Sequence, residues 1–220
     1  MKVAVLFSGG KDSCYALYWA HSQAWQTQCL VSVIPEKPDS YMFHYPNIEL
    51  VEQQAKLLQL PLLKRKTKAE PEKELDDLEA LLKEAKESYG IDGVVSGAVA
   101  SEYQKTRIER VCHCIGLKSF APLWHKRQEQ LLREELRAGF EIIMVGVYAE
   151  GLDEHWLGKR LDEEAVDELV GKQVLSPVGE GGEFETLVLG GPMFSSRLET
   201  KEVKREWDGS RGELELAARG

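Results

Sequence analysis

Six residues near the start of the chain combine groups that bind phosphate. Ser8-Gly9-Gly10-Lys11-Asp12-Ser13 follows an apolar, β-forming run, Val3 to Phe7, and precedes a segment with helical spacing, Cys14 to Ala24. Glycines let the backbone turn sharply so that successive N–H groups can face one ligand, and a helix N-terminus attracts anions. The two serines add hydroxyl groups and the lysine adds a positive charge. We therefore predict a phosphate-binding loop; the simpler alternative is a plain helix cap.

Asp12 is the unusual member of this loop, because a carboxylate repels phosphate unless a cation lies between them. Mg²⁺ is commonly held by one or two carboxylates together with substrate phosphates. The loop lacks both the G-x-x-x-x-G-K-[ST] and the G-x-G-x-x-G spacing, so neither of those nucleotide-binding motifs is predicted. The expected ligand therefore carries phosphate and a cation such as Mg²⁺, and Asp12 is the candidate metal ligand.

A second stretch near the C-terminus is rich in carboxylates. Gly179-Glu180-Gly181-Gly182-Glu183-Phe184-Glu185-Thr186 holds too little apolar surface for an ordinary strand, so it predicts a stiff turn before a strand at Leu187–Leu189. Glutamates on such a turn could bind ammonium, deprotonate an amine nucleophile or complement a cationic substrate. The alternative interpretation is a solvated acidic turn.

Alternating strand and helix patterns position the first stretch. Further strands are predicted at 27–34, 62–66 and 93–98, with a helix that Asn47 caps and a helix over 71–88 between them. The latter helix has an apolar face formed by Leu75, Leu78, Leu81, Leu82 and Ala85. This alternation predicts a mostly parallel sheet covered by helices. Ligands of such sheets bind beyond the carboxyl ends of the strands, which adds Ser32 and Gly97 to the nucleotide site.

The helix that opens at Ser101 carries polar side chains on one face. Arg107 lies one helical turn after Tyr103, with Glu102 beside it, and this combination suits recognition of carboxylate or phosphate groups. A surface salt-bridge face is the alternative. Trp124, further along the chain, is either a packing anchor or a platform on which a substrate stacks.

After Phe140 the pattern changes to one strong strand at 141–148, a short helix at 161–169 and a hairpin that turns at Asp208-Gly209-Ser210. We therefore predict an α/β fold in two domains. Residues 1–125 form a Rossmann-like, parallel-sheet nucleotide-binding domain, and residues 126–220 form a smaller α+β substrate domain.

Composition narrows the function classes. The 220 residues carry a formal net charge of −9, which argues against a large nucleic-acid footprint because that requires clustered Lys and Arg. No segment approaches the ~18 apolar residues of a membrane span, and no signal-peptide pattern is present. Four irregularly spaced cysteines indicate reduced thiols and a cytoplasmic protein. Cys112-His113-Cys114 lacks a second ligand pair at zinc spacing.

Residues 8–13 resemble the pyrophosphate loop of the ATP-pyrophosphatase superfamily, and the chain as a whole is similar to its diphthine–ammonia ligase family. The chain departs from that family at two positions. Val178 stands where a Cys is often found, which puts a covalent thiol role in doubt. Gly190 stands where an Asp is common, which leaves the glutamates as the acidic candidates. The matching stretches are Ser8–Ser13, Gly97–Cys112, Pro122–Trp124, Gly151-Leu152 with Leu157-Gly158, and Gly179–Thr186.

The resemblance implies an adenine nucleotide alpha-hydrolase-like fold and a ligase reaction. ATP with Mg²⁺ would adenylate the carboxylate of diphthine on translation elongation factor 2, and ammonia would displace AMP. The implied catalytic residues are Lys11, Asp12, Glu183 and Glu185; the implied ATP site is Ser8, Gly9, Gly10, Lys11, Asp12 and Ser13, with Ser32 and Gly97; the implied substrate side is Glu102, Tyr103, Arg107, Trp124, Glu180 and Glu183.

Two alternatives stay open at this point. One is a related ATP pyrophosphatase that acts on another carboxylate or on tRNA. The other is a sensor that binds ATP without cleaving it. Membranes and nucleic acids are not expected partners, and a homodimer is one assembly compatible with such a chain.

Overall fold

A computed structural model describes residues 1–35, 47–68, 71–172 and 176–219 of the chain. Short 3₁₀ turns occur at Ile48–Leu50 and Glu154–Trp156. The helices and strands, in chain order, are β1 (Lys2–Leu6), α1 (Lys11–Ser22), β2 (Gln26–Pro35), α2 (Val51–Leu57), β3 (Leu62–Thr67), α3 (Pro71–Tyr89), β4 (Gly93–Val95), α4 (Glu102–Cys114), β5 (Lys118–Phe120), α5 (Gln128–Arg137), β6 (Glu141–Val147), α6 (Glu163–Gly171), β7 (Phe184–Gly190), β8 (Thr200–Trp207) and β9 (Gly212–Ala218).

The described residues form two compact units, and each unit is built from several stretches of the chain. The expected division of the sequence near residue 125 stays a prediction, because compactness does not test whether a segment folds by itself. The first unit takes Met1–Ser8, Asp12–Tyr45 and Gln59–Trp124, and the second takes Gly9–Lys11, Pro46–Leu58 and His125–Gly220.

The first unit contains a five-stranded sheet in the order β3-β2-β1-β4-β5, and every neighbouring pair is parallel. This confirms the predicted α/β fold class. The chain runs outward from β1 to β3 and then continues on the other side with β4, so the switch in strand order lies between β1 and β4. The sequence did not predict β5, because three residues are too short for a periodic pattern; its pairing with β4, Gly93 opposite Lys118, defines it.

Helices α3 and α4 supply one side of the first core. The predicted apolar face of α3 is confirmed, since all five of its residues are buried in a cluster with Val31, Val94 and Ile108. Full burial of an aliphatic side chain contributes about 1.5–3 kcal/mol. No helix in the described part of the chain has both the length and the apolar character that a membrane span requires.

Helix α1 begins at Lys11 and ends at Ser22, whereas the sequence predicted a helix from Cys14 to Ala24. The prediction missed the start because Lys, Asp and Ser are polar, so hydropathy does not reveal a first helical turn. At the other end Ala24 adopts a left-handed backbone, with a φ of 56°, that a helix cannot contain. Half of the predicted phosphate loop therefore lies in the first turn of α1.

The second unit contains a four-stranded sheet in the order β7-β6-β9-β8, and its strand pairs are antiparallel. Residues 46–58, which lie between two strands of the first sheet in sequence, belong to this unit. Leu50 and Leu57 pack there with Val145, Leu187 and Leu189. The predicted hairpin is confirmed as β8 and β9, and the Asp208 carboxylate accepts the N–H groups of Ser210 and Arg211 at its turn.

Strand β7 begins at Phe184, so the prediction that Phe184–Thr186 belongs to a turn is wrong. Pairing with β6 explains the difference, because Val147 lies opposite Phe184 and Gly146 opposite Glu185. Backbone hydrogen bonds to a neighbouring strand compensate for the weak intrinsic preference of an acidic segment.

Asn47 holds the N-cap position of the 3₁₀ turn at Ile48–Leu50, but the predicted capping by its side chain is wrong. Its backbone is left-handed, with a φ of 65°, and its side chain makes no capping hydrogen bond. Instead the amide pairs with β9: Nδ2 donates to the Leu214 carbonyl oxygen at 2.8 Å, and Oδ1 accepts from the Leu216 N–H at 2.6 Å. Strand β6 pairs with β9 only at Gly212 and Glu213. The Asn47 side chain continues the hydrogen bonding along β9 at Leu214 and Leu216.

Replacement of Asn47 by Ala should lower the free energy of unfolding by about 1–3 kcal/mol, since two backbone groups of β9 lose their partner. Urea unfolding of the variant measures the change. Glu49→Ala is the control, because Glu49 is exposed in the adjacent 3₁₀ turn. Equal stability of the two variants would contradict this role for Asn47.

Candidate functional site

The loop after β1 closes on the first turn of α1 through two serines of the first unit. The Ser13 Oγ atom accepts from the Ser8 N–H at 3.3 Å and from the Ser8 hydroxyl at 3.2 Å. Ser13 is 7% exposed and Ser8 is half-buried. The two predicted phosphate ligands are therefore brought together at the carboxyl end of β1.

Gly97, in the loop after β4, approaches the same helical turn. A Cβ atom at this position would lie 2.7 Å from the Asp12 carbonyl carbon and 2.8 Å from the Ser13 nitrogen. Both of these are backbone atoms, so a larger residue would displace the start of α1. The predicted grouping of Gly97 with Asp12 and Ser13 is thus present, and the absence of a side chain at Gly97 lets the loop after β4 pack directly against the first turn of α1.

Ser32 is placed differently from the expectation. It lies three residues before the end of β2, is 2% exposed, and donates its hydroxyl to the Phe7 carbonyl oxygen at 2.5 Å. This hydrogen bond holds the backbone immediately before the loop. Direct ATP binding by Ser32 stays a prediction.

Residues Gly9–Lys11 belong to the second unit, where they bond to β7 and α2. The Gly9 carbonyl oxygen accepts from the Val188 N–H at 3.0 Å and from Gln54 Nε2 at 2.9 Å. The Lys11 N–H donates to Thr186 Oγ1 at 3.2 Å, and the Lys11 side chain is 2% exposed. The middle of the phosphate loop is therefore joined to the strand that continues the glutamate-rich stretch.

The glutamate-rich stretch is closed by one of its own carboxylates. Glu183 Oε1 accepts from the Ser176 N–H at 3.0 Å, and Oε2 accepts from the Gly181 N–H at 2.8 Å. The Glu180 N–H donates to Ser176 Oγ at 3.1 Å. Gly179 and Gly182 have φ values of 76° and 79°, which favour glycine. Glu183 thus organises the turn, and its predicted catalytic role stays a prediction.

Glu185 lies in a row of paired residues across the second sheet. Gly146 of β6 is opposite both Glu185 of β7 and Glu213 of β9. Tyr148 donates its hydroxyl to Glu213 Oε1 at 2.9 Å. Burial, and then the negative charges of Glu213 and Glu185, raise the pKa of Tyr148 above its usual range, so the phenol stays protonated at neutral pH.

Sequence reasoning missed four of these polar residues: Gln54, Tyr148, Thr186 as an acceptor, and Glu213. Gln54 lies between Gln53 and Ala55 in a segment of mixed polarity, so nothing local distinguishes it. Tyr148 and Glu213 come from two separate strands and meet only because those strands share a sheet.

On α4 the predicted pair is formed. The Arg107 guanidinium carbon lies 3.5 Å from the ring centroid of Tyr103, which is a cation–π contact. Trp124 is half-buried and has the Lys105 Nζ atom 5.0 Å from its ring centroid, while Glu102 is exposed. Tyr103 remains 37% exposed. The roles of these residues toward a substrate stay predictions.

A metal cage made by the protein alone is absent from the described residues, since no three His, Cys, Asp or Glu side chains cluster there. Mg²⁺ typically binds through one or two carboxylates and the phosphates of the substrate. Asp12 is half-buried in the first turn of α1, beside Ser13 and Gly97. The residues present therefore fit a metal that arrives with a nucleotide.

Comparison with known proteins decides the family. The diphthamide synthase N-terminal domain matches residues 1–119, and the diphthamide synthase C-terminal domain matches residues 127–219. The chain belongs to the diphthamide synthase family. This confirms the resemblance drawn from the sequence motifs.

Two curated relatives of this chain are proteins named diphthine–ammonia ligase. The one from Rattus norvegicus is 37% identical, over 90% of this chain and 82% of the rat protein. The one from Danio rerio is 35% identical, over 90% of this chain and 86% of the zebrafish protein. A solved structure, a predicted subunit of tRNA methyltransferase from Methanocaldococcus jannaschii, is 17% identical over 87% of this chain and 97% of that chain, with a TM-score of 0.44.

Val178 and Gly190, the two departures from the diphthamide synthase pattern, both lie among ordinary packing contacts. Val178 is 3% exposed and therefore contributes an apolar side chain to the base of the glutamate turn. Gly190 is the last residue of β7, and a Cβ atom there would lie 3.7 Å from the Arg197 Cα atom, an ordinary contact distance. A Cβ atom therefore fits at position 190 without a clash, and position 178 offers no thiol.

Glu183→Gln should lower the free energy of unfolding by about 1–3 kcal/mol, because an amide group can accept from only one of the two N–H groups that the carboxylate now binds. Glu150→Gln, at an exposed position, is the control. Chemical denaturation compares the two. A Glu183→Gln protein with unchanged stability and abolished turnover would instead identify Glu183 as a chemical participant.

Proposed function

We propose that this chain catalyses the ATP-dependent amidation of diphthine by ammonia, with release of AMP and pyrophosphate. The observation that carries the proposal is the match of both diphthamide synthase domains in one chain. The relatives named above are diphthine–ammonia ligases. The hydrogen bond from the Lys11 N–H to Thr186 Oγ1 supports it, because it joins the phosphate loop to the glutamate-rich stretch.

The first chemical step forms an acyl adenylate. A carboxylate oxygen of diphthine attacks the α-phosphorus of ATP, and the bond from that phosphorus to the bridging oxygen breaks, so pyrophosphate leaves with the electron pair. Ser8, Ser13, the backbone N–H groups of the loop and the Lys11 charge stabilise the leaving group. Ser32 contributes indirectly, through its hydrogen bond to Phe7.

The second step forms the amide. The nitrogen lone pair of ammonia attacks the adenylated carbonyl carbon, the carbon–oxygen bond to AMP breaks, and the nitrogen loses one proton. A carboxylate is a suitable acceptor for that proton. Glu185 and Glu180 are the preferred bases, since Glu183 spends both carboxylate oxygens on backbone N–H groups.

Mg²⁺, the protein substrate, the cellular location and the assembly also belong to the proposal. Asp12, together with the phosphates of ATP, would hold Mg²⁺, which would neutralise charge on the triphosphate. Elongation factor 2 is the protein that carries diphthine, and Glu102, Tyr103, Arg107 and Trp124 recognise it. A cytoplasmic location agrees with that substrate and with the buried thiols of Cys29 and Cys112, whose pKa values burial raises to about 12 and about 11. A homodimer is compatible with this function.

Purified protein with Mg-ATP, ammonium and diphthine-bearing elongation factor 2 should form AMP and convert the modified histidine peptide to its amide. AMP is followed by chromatography, and the peptide by mass spectrometry, which detects replacement of OH by NH₂. Reactions that lack ammonium or the elongation factor are the controls. ATP cleavage that requires a different carboxylate would disprove diphthine as the substrate.

Lys11→Met should reduce AMP formation by about 10²–10³-fold, because it removes a buried charge next to the leaving pyrophosphate while it fills a similar volume. Lys56→Met on α2 is the matched control, since Lys56 is exposed. Initial rates at saturating elongation factor provide the measurement. Near-normal turnover in a folded Lys11→Met protein would exclude Lys11 from the chemistry.

A further inference from the structure

Gln54 of α2 is a buried polar residue that none of the chemistry above uses. It is 0% exposed, and its helix packs within the second unit through Leu57, next to Leu50 of the preceding 3₁₀ turn. Its Oε1 atom has no hydrogen-bond partner among the described residues. A buried acceptor without a partner is unfavourable, so an apolar residue would fill this position at lower cost if packing were its only task.

The hydrogen bonds of the Gln54 Nε2 atom explain why a glutamine occupies this buried position. It donates to the Gly9 carbonyl oxygen at 2.9 Å and to the Val188 carbonyl oxygen at 2.8 Å. The Val188 N–H donates to the same Gly9 oxygen at 3.0 Å. Both N–H groups of one amide are therefore spent on joining the phosphate loop to β7.

These bonds determine the direction of a peptide plane. In a trans peptide the C=O group of Gly9 and the N–H group of Gly10 point in opposite directions. With the Gly9 oxygen held against β7 and α2 by two donors, the direction of the Gly10 N–H is set as well. Gly9 itself must be glycine: its φ is 81°, and a Cβ atom would lie 2.2 Å from Gln54 Oε1.

We infer that Gln54 is a positioning residue that orients the backbone of the phosphate loop, so that its amides face the pyrophosphate portion of ATP. The inference rests on the proposed use of ATP by residues 8–13. Its effect is expected to be selective, because the proposed function assigns the loop to the pyrophosphate portion of ATP and not to the adenosine.

The test compares Gln54→Met with Gln53→Met by isothermal titration calorimetry. Methionine keeps the approximate volume of glutamine and removes the donors, and Gln53 is its half-buried neighbour on the same helix. The probes are α,β-methylene-ATP, which cannot be cleaved at the reacting bond, pyrophosphate, and AMP. Gln54→Met loses one or two positioning hydrogen bonds, so its affinity for α,β-methylene-ATP and for pyrophosphate is expected to fall about tenfold or more. AMP should bind as it does to the wild type, and Gln53→Met should bind all three normally.

Several outcomes would overturn the inference. Wild-type affinity of Gln54→Met for α,β-methylene-ATP and pyrophosphate removes Gln54 from loop positioning while the proposed function stands. An equal loss of affinity for all three probes, with a lower unfolding midpoint, shows general loosening and not positioning. A wild-type protein that binds no α,β-methylene-ATP overturns the proposed ATP-dependent function and this inference with it.

A second pair of variants covers the case in which Gln54→Met does not fold. Thr186→Val removes the acceptor for the Lys11 N–H without a large change in shape, and Thr186→Ser restores a hydroxyl. Thr186→Val should show the same selective loss for α,β-methylene-ATP and pyrophosphate, and Thr186→Ser should recover most of it. Equal affinities of the two variants would overturn the positioning of this loop from β7 and α2.

Discussion

The Gly9 carbonyl oxygen is the point on which the nucleotide loop depends. It receives two hydrogen bonds, from the Val188 N–H and from Gln54 Nε2, within one compact unit. A glycine-rich loop has large conformational freedom, and this freedom must be removed before its amides can act together on one ligand. External hydrogen bonds to a strand and a helix remove it here, so the loop is positioned by residues more than forty positions away.

The glutamate-rich stretch solves the same problem by a local route. Its turn is closed by the Glu183 carboxylate, which binds the N–H groups of Ser176 and Gly181. A charged acceptor makes stronger hydrogen bonds than a neutral one, which explains how a segment with little apolar surface keeps a defined shape. Glu183 thus gives the turn its shape, and its predicted catalytic role remains to be separated from this structural one.

Periodic apolar segments were predicted well, and polar or short segments were not. The parallel sheet and the buried face of α3 follow from alternation and helical spacing. The start of α1, the three-residue β5 and the first residues of β7 were missed, because polar or short stretches carry no periodic signal. Asn47 has the residue type of a helix cap, yet its amide pairs with β9 instead. Asn side chains readily form hydrogen bonds with nearby backbone groups. Here the Asn47 amide forms such bonds with backbone groups of β9, which is distant in the sequence.

The sequence by itself determined the family, the parallel-sheet fold class and the residue types available for phosphate and ammonia chemistry, because these depend on short motifs and on hydropathy. Only the tertiary structure decided which polar groups form hydrogen bonds with other groups of the protein. Ser32 donates to Phe7, Glu183 closes its own turn, and Gln54 reaches Val188, 134 residues away in the chain. The hydrogen-bond partner of a polar side chain depends on which strands and helices pack together. A local sequence pattern does not encode contacts between residues that lie far apart in the chain.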